Sequence, residues 1–217
     1  MKLFDVDGPL FSALDTFSKL VLCNLYFVLF SIPVVTIGAS LTALYTCTQR
    51  LVYEESREEK LVFLEFWHAF RRNLKQATAL WLICLAVILF LGAYYAVVQR
   101  LAGGFGTLYL VTFFILALIF LFGFLYVFPL QARFRNTVKN TLRNAWLLSV
   151  AALPWTVLSI LLLAGSVYVS FVMNPDASGF FTYLWAVCGF SIVAYFHSFL
   201  TRQAFRKLSP SGGNGGA

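Results

Sequence analysis

Residues 131–145 read QARFRNTVKNTLRNA, and their period decides how the rest of the chain is read. On a helix, residues four apart share a face. Phe134, Val138 and Leu142 then form an apolar stripe, Arg135, Lys139 and Arg143 a basic one, and Asn136, Asn140 and Asn144 a carboxamide one. No acid interrupts them, and apolar runs flank the stretch over 108–130 and 146–172. The spacing predicts one basic amphipathic helix between two membrane spans. Such a helix marks the cytoplasmic side and offers a surface to anionic lipid head groups or to a protein partner.

The totals agree with spans on both sides. Of 217 residues, 60% are hydrophobic and 12% charged, whereas a soluble domain is about a quarter charged. The mean hydropathy is +0.82. A water-soluble fold of this length cannot hide so much apolar surface, so the lipid bilayer must be part of the solvent. A net charge of +7 would suit nucleic acid. Here, though, the bases sit at the ends of apolar runs, where membrane topology requires them, and nucleic acid is excluded as a partner. Cys23, Cys47, Cys84 and Cys188 each lie in an apolar run, without CxxC spacing or a nearby His. They read as small buried hydrophobes, with no metal site and no cofactor implied.

Outward from the quoted stretch, the chain divides at its prolines and charges. Pro9 suits the first turn of a helix over 9–32, long enough to cross a hydrocarbon layer ~30 Å thick. Pro33 pushes Ile32 out of the helical region, and Thr36 is placed to cap a second helix over 37–54. There Gly38, Thr42 and Thr46 share one line and Ala39 and Ala43 another. Small residues four apart let helices approach closely in lipid, so this helix is expected inside the bundle. The break at 33–36 is either a hairpin between two spans or a kink within one oblique span. Residues 50–76 hold six bases and five acids, and 63–70 is aromatic and amphipathic like an interfacial segment. Further spans are predicted over 77–98, 108–130, 146–172, with a kink at Pro154, and 180–200. The Gly/Ser-rich tail 209–217 reads as disordered.

The expected fold is an all-α polytopic bundle in one domain over 1–208. Its parts are an N-terminal hairpin 9–54, a basic helix plus hairpin 61–130, and a basic helix plus hairpin 131–203. With loops 99–107 and 173–179 outside, Arg100 and Asp176 are the external charges, and fifteen of sixteen Lys/Arg fall inside. The positive-inside rule selects that orientation. The hairpin alternative gives six spans with both termini cytoplasmic, and the kink gives five. Residues 70–77 also align with 138–145, either as a parallel repeat or as a shared feature of helices leading into the membrane.

Enzymes need convergent titratable groups, and the four spans after residue 76 contain no Asp, Glu, Lys or Arg. His197 stands in the last span, where a core histidine is the ordinary role and a proton relay the rarer one. No catalytic residue is assigned and a non-enzymatic protein is expected. Two features remain as candidates. Around the broken helix, Asn24, Pro33, Thr36, Gly38 and Thr42 would place a helix N-terminus near an anion or polyol. On the 131–145 face, Arg135, Asn136, Lys139, Asn140, Arg143 and Asn144 would dock a partner. Topology accounts for the three bases there. It leaves unexplained the Asn stripe and its echo at Asn73 and Gln76.

Several stretches together resemble the YesL-like family of bacterial integral membrane proteins. They are Phe4-Asp5 with Gly8-Pro9-Leu10, Asn24-Leu25, PVVTIGASLTALY over 33–45, NLKQA over 73–77, FPL over 128–130 and FRNTVKNTLRNA over 134–145. The resemblance spans residues 4–205, and the pairing of PVVTIGAS with NTVKNTLRNA is its more specific part. It implies a multi-pass protein of a bacterial plasma membrane with an accessory or regulatory role in oligosaccharide uptake by an ATP-binding-cassette importer. No Glu-Ala-Ala loop of the kind carried by many such permeases is seen, so the chain is not read as the permease. The alternative is a stand-alone transporter or channel, with a polar cavity lined by Asn24, Thr36, Thr42, Thr46 and His197.

Overall fold

The computed structural model describes residues 9–53, 62–100, 104–173 and 175–206, which are almost wholly helical and contain no strand. In order these are α1 (Pro9–Phe30), α2 (Ile37–Tyr53), α3 (Val62–Val98), α4 (Gly104–Arg133), α5 (Val138–Ala151), α6 (Leu153–Val167), α7 (Ser178–Leu184) and α8 (Phe190–Phe205). A π-helical turn, Tyr168–Val172, follows α6, and another, Trp185–Gly189, joins α7 to α8. The charged loop 54–60 and the tail 209–217 lie outside the described residues.

Among the described residues five helices are long and apolar enough to cross a membrane: Phe11–Phe30, Val62–Val98, Gly106–Arg133, Leu153–Val172 and Pro175–Phe205. Their surface is inverted relative to that of a water-soluble protein. Leu89, Phe114 and Leu161 are more than 60% exposed, while Asn24, Thr42, Thr48, Thr156, Ser191 and His197 are completely buried. Apolar outside and polar inside is the arrangement lipid favours, because a polar side chain in hydrocarbon must find its partner within the protein.

At the 33–36 break the chain forms two separate helices. Cys23 of α1 and Cys47 of α2 are buried in one core where the two helices pack together, so α2 folds back along α1. α2 has 17 residues, about 25 Å at 1.5 Å per residue, and does not join the five long apolar helices. It is the core instead, with Ala39, Ser40, Thr42, Ala43, Leu44 and Thr48 all fully buried. It runs antiparallel to α3, with Gly38 against Trp81 at one end and Arg50 paired with Glu65 at 3.0 Å at the other. A Cβ on Gly38 would collide with the Ala77 carbonyl and lie 2.5 Å from Trp81 Cβ. That contact is what the small-residue line on α2 makes possible. α8 lies beside α2 in the same direction, matching Tyr45, Thr48 and Val52 with His197, Ser198 and Arg202.

Two expectations are corrected. First, 131–145 is not one helix. α4 ends at Arg133, 134–137 is non-helical, and α5 starts at Val138 behind Thr137, whose side chain accepts a hydrogen bond from the Asn140 amide. The capping threonine and the fold-back it permits override the continuous period. α5 then packs antiparallel to α4, with Trp146 over Gly123. Second, 146–172 is not one kinked span. The chain breaks at Ala152 (φ −113°, ψ 38°), with Pro154 in the first turn of α6. Proline lacks an amide and crowds the carbonyl four residues earlier. Thr156 Oγ1 bridges the break by donating to Ser149 O at 2.7 Å and Ala152 O at 3.2 Å. The long apolar helix therefore begins at Leu153.

Candidate functional site

The polar side chains among the broken-helix candidates, Asn24, Thr36 and Thr42, each make hydrogen bonds within the fold. Asn24 donates from Nδ2 to Ala186 O at 2.7 Å and Trp185 O at 3.1 Å, and its Oδ1 accepts from the Ser191 amide at 2.9 Å. A π-helical turn leaves backbone groups without their usual partners. Asn24 supplies them from another helix. Thr36 Oγ1 bonds to Phe30 O and Pro33 O at 2.8 Å each, closing the end of α1. Trp81 Nε1 donates to Val34 O at 2.8 Å and covers the break. Thr42 and Thr46 bond back to Gly38 O and Thr42 O. Pro33 provides the extended residue before the 3-10 turn Val34–Thr36.

A polar centre that the sequence reading did not assemble lies between α2, α4, α6 and α8. His197 Nδ1 meets Tyr45 Oη at 2.8 Å. Tyr126 faces the same imidazole at a ring separation of 6.4 Å and bonds to Thr156 Oγ1 at 3.0 Å. Thr48 and Ser198 meet at 3.1 Å one turn away. His197 Nε2 is buried with no hydrogen-bond partner among the described residues. The centre cross-links helices distant in sequence, which is the structural use of polar side chains in lipid.

The basic stretch is divided by its turn. Arg135 stands in the non-helical link, Lys139 in the first turn of α5 and Arg143 one turn on, and all three are exposed. Asn140 is exposed, and Asn136 and Asn144 are half-buried. Gln76 Nε2 donates to the Asn136 backbone carbonyl, so the echo seen at Gln76 is a real contact, though to backbone and not to a carboxamide stripe. The side-chain network uses other residues. Gln131 donates to Asn73 Oδ1 at 3.2 Å and accepts from Thr141 Oγ1 at 3.3 Å, joining α3, α4 and α5. All three are buried. Gln131 opens the quoted stretch, yet its role depends on α3, 58 residues earlier.

Two cavities border these elements. One of about 540 Å³ lies between α2 and α3, beside Arg50, Glu65, His68 and Arg72, where the single acid Glu65 is already paired with Arg50. The other, about 530 Å³, is an apolar slot between α3, α4 and α5 with Arg143 at its edge. Among the described residues no group of three His, Cys, Asp or Glu is placed to hold a metal ion, and all four cysteines are free and buried.

Helix length, inverted polarity and interhelical polar contacts define the class, an all-helical protein with five potential membrane-crossing helices. Within it, residues 20–95 match the family described as "Protein of unknown function, DUF624". The match takes in the second half of α1, all of α2 and most of α3. No curated protein and no solved structure matches the chain.

Proposed function

We propose that the chain is a YesL-like, non-enzymatic component of a bacterial plasma membrane. In this reading it assists or regulates oligosaccharide uptake by an ATP-binding-cassette importer and docks it through the turn between α4 and α5. The observation that carries the docking surface is the exposure of Arg135, Lys139 and Asn140 on a turn whose backbone is held. Gln76 fixes Asn136 and Thr137 caps α5. Neither Arg135 nor Lys139 makes an ion pair among the described residues. A fixed turn with unspent cations presents a surface without first ordering it, which lowers the entropic cost of binding. The carbohydrate assignment comes from the family resemblance.

The double variant Arg135→Gln/Lys139→Gln tests the reading. In native membranes the importer's ATPase and permease should co-purify with the wild-type chain and fall several-fold with the variant, at equal membrane content. Unchanged co-purification would remove the proposal. Sugar flux through liposomes holding this chain alone would favour the transporter alternative, whose cavity residues Asn24, Thr36 and Thr42 are spent on internal bonds.

A further inference from the structure

The slot between α3, α4 and α5 has a shape and a charge that choose an occupant. It is lined on α3 from Ile83 to Leu91 and on α4 from Val127 back to Leu116. Eight residues along a helix make a channel about 12 Å long. Its walls are apolar, and Gly123 contributes no side chain to fill it. A Cβ there would meet only Trp146, at 3.5 Å. α5 closes one end with Trp146 and Arg143. That end faces the part of α3 that carries Arg71, Arg72 and Lys75, and the other leads along two of the long apolar helices. The medium around such helices is hydrocarbon. Arg143 is exposed and makes no ion pair or hydrogen bond among the described residues.

We propose that this slot binds one acidic phospholipid, one of its two acyl chains lying between α3 and α4 and its phosphate held by Arg143. The half-exposed Trp146 ring sits at the boundary between chain and head group, a position tryptophan favours. A guanidinium matches a phosphate with paired donors, and a net negative head group leaves that charge uncompensated by choline or ethanolamine. The site uses neither Arg135 nor Lys139, so it stands or falls independently of importer docking.

Native mass spectrometry of the whole chain in mild detergent tests it, with phosphatidylglycerol and phosphatidylcholine added in equal amounts. The wild type should retain one phosphatidylglycerol about fivefold over phosphatidylcholine, the scale of one cation at an anionic surface. Arg143→Gln should bring the two to parity, and Arg143→Lys should keep most of the preference. Arg206→Gln, which removes an exposed base elsewhere, should leave it unchanged. Leu116→Trp, which fills the far end of the slot, should lower retention of both lipids. Parity in the wild type, a preference surviving Arg143→Gln, or equal loss with Arg206→Gln would overturn the site. So would unaltered retention with Leu116→Trp, or a dimer of this chain in place of the lipid adduct.

Discussion

Two of the chain's helix breaks, at 31–36 and at 134–137, serve opposite ends. At 31–36 the break is roofed by Trp81, closed by Thr36 and followed by Gly38 packed hard on α3. At 134–137 the break is anchored by Gln76 and Thr137, but its cations point away from the bundle. At the first break Thr36 and Trp81 are bonded to the Phe30, Pro33 and Val34 carbonyls, with the Ser31 hydroxyl buried and unpartnered among the described residues, while the second leaves exposed cations over. Charge at a helix break is therefore a poor guide to function unless one asks which groups the fold has already used.

That contrast can be broken by substitution. The largest effect is expected at Gly38→Leu. There is no room for a side chain against the Ala77 carbonyl, so the loss should reach or exceed the ~1–3 kcal/mol of core overpacking. It would show as loss of monodisperse protein in size-exclusion chromatography. A well-folded Gly38→Leu protein would show that the α2–α3 approach is not tight. Next is Asn24→Ala, which removes the side-chain bonds to two carbonyls of the π-helical turn and to the Ser191 amide of α8. About 1–3 kcal/mol is expected, read as a lowered Tm in detergent. Asn24→Asp should not restore it, because it lacks the amide donor.

Thr137→Ala removes a helix cap and should cost about 1 kcal/mol, visible as earlier proteolysis at the α4–α5 turn. The smallest effect on stability is expected for Arg135→Gln/Lys139→Gln, within ~0.5 kcal/mol as for ordinary surface positions. A large drop in Tm for that pair would mean that the second break is also consumed by the fold, and would erase the contrast.

The apolar runs, the small-residue face of α2 and the break after Phe30 were legible in the sequence because each rests on local chemistry: hydropathy, side-chain size and proline. Ala39 and Ala43 are fully buried, as their spacing implied. The break inside 131–145 was not legible. Phe134, Val138 and Leu142 keep helical period straight across it, and only the fold-back of α5 onto α4 shows that the period is shared by two elements. The partners of Asn24 were invisible for another reason: Trp185 and Ala186 are 161 and 162 residues away, and nothing in a single chain's periodicity marks a carbonyl freed by a π-helical turn. Tyr45 and His197 were each visible as residues, but their meeting depends on the parallel alignment of α2 with α8.

The distance between Asn24 and its acceptors also sets an order of events during synthesis. At 5–20 residues per second, a separation of 161 residues means a wait on the order of ten seconds or more after Asn24 leaves the ribosome. Throughout that interval its carboxamide has neither the α7–α8 carbonyls nor the Ser191 amide to bond. A nascent chain stopped before α7 therefore carries a polar group in lipid that no later step can satisfy, a ready mark for membrane quality control. Synthesis of the C-terminal helix is the step that completes the bonding of Asn24 in the first.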